Sequence, residues 1–253
     1  MSGSSANGGD ETRLTIEHRP SPNFGPRPEG ATVDILILHY TGMESAQAAL
    51  DRLCDPEAEV SAHYLIDEDG TVTHLVPEEK RAWHAGRSYW RGITDVNSAS
   101  IGIELVNPGH EFGYRPFTDA QMSSLCPLLA NIVRRHAIDP SDVVGHSDIA
   151  PARKQDPGEL FDWEMLAGIG LVLPVPKPRI RLLHENPGQF FLALERFGYD
   201  IADGRAAVSA FQRRWRPRRI DGEVDGEVGA LLFELLLARD MATRRQMPDE
   251  GDW

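Results

Sequence analysis

Val33-Asp34-Ile35-Leu36-Ile37-Leu38 is a short, nearly continuous apolar run, the pattern of a strand buried on both faces. His39 stands at its end. Working outward, His63-Tyr64-Leu65-Ile66-Asp67 and Thr71-Val72-Thr73-His74-Leu75-Val76 flank Glu68-Asp69-Gly70, which predicts a hairpin with an acidic glycine turn. A further strand, Ser100 to Val106, is apolar apart from Glu104. Between these runs, Ser45 to Leu53 and Thr118 to His136 read as helices. In the second, Thr118 and Gln121 have capping-box spacing, and Pro127 is expected to kink the helix. Strands separated by helices, with one hairpin, predict an α/β fold with a central mixed β-sheet flanked by helices.

Toward the C-terminus, Leu173-Pro174-Val175-Pro176-Lys177-Pro178 places proline at alternate positions and reads as an extended spacer. Beyond it, Phe190 to Phe197, Ala206 to Trp215 and Val228 to Met241 predict a small three-helix domain. The expected division is a flexible tail over 1–30, a first domain over 31–173, a linker over 174–183, helices over 184–241 and a tail over 242–253.

Composition narrows the partners. A net charge of -13 over 253 residues argues against a phosphate-backbone partner, which clustered Lys and Arg would have to neutralise. An acidic surface also repels anionic lipid headgroups, and no segment approaches membrane-spanning length. Residues 1–30 hold no apolar run that would serve as a signal-peptide core. Cys54 and Cys126 form no CxxC pair. The expected location is therefore cytoplasmic, with the periplasm or envelope as the alternative if the N-terminus is incomplete. Oligomeric state is not legible.

The chemistry concentrates in Gly145-His146-Ser147-Asp148-Ile149-Ala150-Pro151-Ala152-Arg153-Lys154-Gln155-Asp156-Pro157-Gly158. A histidine and an aspartate in one stiff loop read as half of a metal site whose third ligand comes from elsewhere. His39 and His146 both follow apolar strand-like runs, and ligands of α/β sheets bind beyond strand carboxyl ends. Either one alone reads better as a hydrogen-bonded strand-end histidine than as a ligand. Glu104 is either a solvent-facing position or a buried carboxylate with a role as general base. Lys154 is either a surface lysine or an oxyanion stabiliser.

Five ordered blocks carry a resemblance: His39-Tyr40-Thr41, Ser61 to Ile66, Ala82-Trp83-His84-Ala85-Gly86, Ser100 to Glu104, and Gly145 to Gly158. Through them the chain resembles the zinc-dependent N-acetylmuramoyl-L-alanine amidases of the type 2 family, from about Val33 to Trp163. The resemblance implies the type 2 amidase and peptidoglycan-recognition-protein fold. It implies one zinc per chain held by His39, His146 and Asp156, with Glu104 activating water and Lys154 stabilising the charged intermediate. It also implies cleavage of the amide between N-acetylmuramic acid, or its 1,6-anhydro form, and L-alanine of the stem peptide, in cell-wall recycling or remodelling. Peptidoglycan or muropeptide fragments are the implied partners.

Candidate substrate contacts are Tyr40, His63, Trp83, His84, Ala85, Asn97, Asn107 and Arg153. His84 is kept off the metal, because the family places its segment along the substrate groove. The C-terminal helices resemble a peptidoglycan-binding domain through Phe197-Gly198-Tyr199, Phe211-Gln212 and Asp221-Gly222, although a purely stabilising appendage reads equally well. The alternative to an enzyme is a non-catalytic peptidoglycan-recognition protein on the same fold. No HExxH, Walker, dinucleotide or GxSxG motif supports another hydrolase or a nucleotide enzyme.

Overall fold

The computed structural model describes residues 14–178 and 187–246. In chain order the elements are β1 (Ile16–His18), β2 (Phe24–Pro26), β3 (Ile35–Tyr40), α1 (Ala46–Cys54), β4 (Tyr64–Ile66), β5 (Val72–His74), β6 (Lys80–Ala82) and β7 (Ser100–Leu105). They continue with α2 (Gly109–Phe112), α3 (Asp119–His136), β8 (Val143–Gly145), α4 (His146–Ile149), α5 (Trp163–Gly168), α6 (Pro187–Phe197), α7 (Gly204–Trp215) and α8 (Gly226–Gln246). The main sheet has the order β1-β5-β4-β7-β3-β8. It is parallel except for the β4–β5 hairpin, so the predicted mixed sheet forms.

Alternation along β3 sorts its side chains between two layers. Leu36 and Leu38 join Ile101 and Ile103 of β7 and the apolar stripe of α3. Helix α3 starts at Thr118, whose hydroxyl accepts from the Gln121 amide while the Gln121 side chain accepts from the Thr118 amide. The helix runs through Pro127 to His136. On the opposite face, Ile35 and Ile37 join Val144, Trp90 and Ile149 in one core with Phe190, Phe211 and Leu235 of α6, α7 and α8. The three C-terminal helices form where the sequence predicts them, but they do not stand apart: they are the second layer over the sheet. A proline-rich spacer fixes local backbone and says nothing about where the following helices dock. Their fit is close at Gly198, in a positive-φ conformation, where an added Cβ would lie 2.8 Å from the Trp90 ring.

Two boundaries move. The stretch up to Gly30, expected as tail, supplies β1, paired in parallel with β5, and β2, paired with β6. Three-residue strands carry no periodicity to read; pairing with partners far along the chain makes them. The last helix extends past Met241 to Gln246. Among the described residues, no helix is long and apolar enough to cross a membrane.

Candidate metal centre

His39 reaches the site through strand register. It lies on the same face of β3 as Ile35 and Ile37, and it is paired with Glu104 of β7, so the two side chains stand side by side. On the other flank, Leu38 pairs with Gly145, which puts His146 level with His39 as the chain leaves β8 for α4. The loop then folds back: the Lys154 amide donates to the Ala150 carbonyl at 3.0 Å and the Ser147 amide to the Asp156 carbonyl at 2.8 Å. Asp156 is thereby carried to the two histidines.

Three atoms converge. His39 Nδ1 lies 2.9 Å from His146 Nδ1, and each lies 3.1 Å from Asp156 Oδ2. All three residues are buried. The remaining ring nitrogens show where the protons are. His146 Nε2 lies 3.1 Å from the Ala85 carbonyl and 3.4 Å from Arg153 Nη2; the shorter contact assigns the ring proton to Nε2, leaving Nδ1 as a lone pair. The Ser100 hydroxyl donates to the Val96 carbonyl, so its oxygen is open to accept from His84 Nε2 at 3.4 Å. His84 Nδ1 then accepts from His39 Nε2 at 3.0 Å, which leaves His39 Nδ1 as a lone pair too. Two imidazole lone pairs and a carboxylate oxygen face one another with no proton between them, an arrangement that calls for a cation.

The electrostatics agree. Burial pushes His39 down to about 4, His146 adds to the effect, and Asp156 opposes it. Burial raises Glu104 to about 8, with Asp156 adding and Lys154 opposing. Glu104 Oε2 is buried without a hydrogen-bond partner. It lines a cleft together with Tyr40, Trp83, His146, Lys154 and Asp156.

The other predicted positions fall into two groups. Tyr40 and Trp83 line the cleft, and Arg153 lines the adjoining depression while bonding to the carbonyls of Arg87 and Ala85. His84 lines both and Asn97 lines the second, but Asn97, Asn107 and His63 hold backbone, while Ala85 and His84 hold the two histidines of the site. The Asn97 side-chain oxygen accepts from the amides of His84 and Ala85 at 3.1 and 2.9 Å. Asn107 donates to the Arg115 carbonyl and accepts from the Gly109 amide. The Ala85 carbonyl orients His146. His63 is fully buried behind His84, accepting from the Gly102 amide on Nδ1 and donating from Nε2 to the Lys80 carbonyl. His84 touches the cleft, but its bond is to His39. Gly102 makes room for it: a Cβ there would meet the His84 ring at 2.5 Å.

Reading the sequence alone missed three participants. Ser100 ends the His39–His84 series. Asp148, within the quoted loop, accepts from the Gly145 amide and is buried. Arg27, in the supposed tail, gives its guanidinium to the carbonyls of Glu78, Asn97, Ser98 and Ser100 beneath the site. No spacing signal marks Arg27 or Ser100; Asp148 was marked only by its place two residues after His146.

Residues 29–159 match the family described as N-acetylmuramoyl-L-alanine amidase. The chain is 37% identical over 230 residues to the N-acetylmuramoyl-L-alanine amidase AmiD of Escherichia coli (strain K12), covering 81% of this chain and 82% of that protein. It is 37% identical over 167 residues to the 1,6-anhydro-N-acetylmuramyl-L-alanine amidase AmpD of Enterobacter cloacae, covering 59% of this chain and 87% of that one. Among solved structures, Escherichia coli AmiD in complex with the substrate anhydro-N-acetylmuramic acid-L-Ala-D-gamma-Glu-L-Lys matches with a TM-score of 0.74 at 35% identity, over 83% of this chain and 92% of that one. Pseudomonas aeruginosa AmpDH3 in complex with anhydromuramic pentapeptide matches with a TM-score of 0.76 at 32% identity, over 87% and 96%.

Proposed function

The chain belongs to the N-acetylmuramoyl-L-alanine amidase family, and from that premise we propose how its own residues divide the work. It is an amidase that hydrolyses the bond between N-acetylmuramic acid and L-alanine of the peptidoglycan stem peptide. The observation that carries the site assignment is the three acceptor atoms of His39, His146 and Asp156 facing one another beside the unpartnered Glu104 Oε2.

The donor set fits zinc: His39, His146 and Asp156 would hold one ion per chain through two imidazole nitrogens and a carboxylate oxygen, the ligand types zinc takes. Bound there, zinc supplies Lewis acidity toward a carbonyl oxygen and toward water.

Glu104 handles the proton. Its Oε2 takes a proton from the attacking water as the water oxygen bonds to the lactyl carbonyl carbon, and delivers it to the alanine nitrogen as the C–N bond breaks. A carboxylate and an ammonium result, the second proton of the water passing from the new carboxylic acid to the amine. Burial, which raises the proton affinity of Glu104, suits it to hold the proton between the two transfers. Lys154 lines the same cleft and its charge acts on Glu104, which supports a role for its ammonium in stabilising the oxygen that gains negative charge. Tyr40, Trp83 and Arg153 form the walls that receive sugar and peptide.

Glu104→Gln keeps the size of the side chain and removes the proton acceptor. The expected result is a fall in kcat on the order of 10²–10⁴-fold with zinc content unchanged by metal analysis; a variant as active as wild type refutes the assignment. For the substrate, anhydro-muropeptide is proposed, as in the AmiD and AmpDH3 complexes. Parallel digests of anhydro-muropeptide, ordinary muropeptide and intact sacculi, read by mass, test it: stem peptide released fastest from the anhydro fragment supports recycling, and release only from sacculi overturns it in favour of wall remodelling.

A further inference from the structure

The turn that carries His146 is held from outside the catalytic region. Asp148, two residues on, is 1% exposed, and its Oδ2 accepts from the Gly145 amide at 2.8 Å, closing the turn. The Ser147 amide ties the same turn to Asp156. The side chains that meet the Asp148 carboxylate come from beyond the proline-rich segment: the Tyr199 hydroxyl donates to Oδ1 at 2.6 Å, and Arg214 Nη1 donates to Oδ2 at 3.0 Å. Arg214 also donates from Nη2 to the Val143 carbonyl at 2.9 Å, at the start of β8. Its guanidinium lies 4.0 Å from the Trp163 ring centroid and 4.6 Å from that of Trp215, with 5% of its side chain exposed. A planar, two-pronged cation packed against two indoles sets the position of what it binds.

We infer that Tyr199 and Arg214 are positioning residues of the metal centre: acting through Asp148, they fix the turn from which His146 and Asp156 reach the metal, so the C-terminal helices are part of the site. This rests on the zinc reading above. Groups that orient metal ligands without touching the ion typically change metal affinity when removed.

The test uses the full-length protein. Zinc affinity is measured by chelator competition, and ligand geometry by the visible absorption of the cobalt(II)-loaded form. Tyr199→Phe, which removes one oxygen, and Arg214→Gln are expected to weaken zinc binding on the order of 10- to 100-fold, to alter the cobalt spectrum and to lower kcat with KM little changed. Leu235→Ala, in the same helical layer but away from Asp148, should lower the melting temperature and leave zinc affinity and spectrum as in wild type. Tyr199→Phe and Arg214→Gln proteins with wild-type affinity and spectrum overturn the inference alone. So does a Leu235→Ala protein that matches their defects. A wild-type protein that takes up neither metal overturns the zinc reading and this inference with it.

Discussion

The two faces of the central sheet are closed in different ways. One is covered by α3, a capped and strongly patterned helix within the family-matched region. The other, on which His39 and Glu104 stand, is closed over β3 and β8 by α6, α7 and α8 from beyond the proline-rich segment, and over β4 by α1. The α3 face is generic packing; the other face joins packing to chemistry, because the helices that bury Ile35 and Ile37 also supply the partners of Asp148. Disturbing the α3 face should cost stability only, whereas removing the helices of the other face, or their contacts with Asp148, should cost stability and the site together.

The strongest challenge to that contrast is a chain ending at Pro178. It leaves Ile35, Ile37, Trp90 and Val144 without their cover. The expected outcome is loss of cooperative thermal unfolding and of zinc uptake; a truncated protein that melts sharply and holds zinc would show that the helices are an accessory. Next in size, Trp90→Ala removes the ring at the seam between β-sheet and helices, where its Nε1 also donates to Asp142 at 2.8 Å. A loss of about 3–5 kcal/mol is expected in denaturant melts.

Acid should act through the same face. Burial is the main cause that holds His63 at about 3, well below the ordinary histidine value of 6.5. Its folded-state pKa lies below its unfolded one, so its contribution is intact above 6.5 and is lost as pH falls toward 3. By about pH 5 this single site should cost about 2 kcal/mol. His63→Gln should flatten stability against pH in that window, and an unchanged slope counts against a neutral buried His63. The smallest effect belongs to the generic face: Thr118→Ala removes the α3 cap and should cost about 1 kcal/mol, with zinc affinity unchanged. A shift in affinity there would erase the distinction between the faces.

The fold was legible where the chain repeats a physical pattern. The apolar run through Leu38, the hairpin around Gly70 and the capped helix from Thr118 each announce their burial locally. The proposed ligands were legible because a histidine and an aspartate in a stiff loop are an uncommon pairing, sharpened by the blocks shared with the family. Arg214 and Tyr199 were not. An arginine among other arginines reads as solvated, and only tertiary structure shows that it faces a carboxylate 66 residues away. Arg27 and β1 were lost for the same reason, since their partners are main-chain groups that no residue type advertises.

The ends of the sheet carry one more consequence. Strand β1 terminates one side with three residues, of which Glu17 and His18 are exposed. At the other side, Arg214 occupies the Val143 carbonyl of β8, and the chain turns at once into α4. Neither border offers a long run of unmet amides and carbonyls on which a neighbouring chain could template itself. A protein with so many β-branched and leucine residues in its strands is thereby blunted against edge-to-edge aggregation, and one of the residues that blunts it is the arginine proposed to brace the metal site.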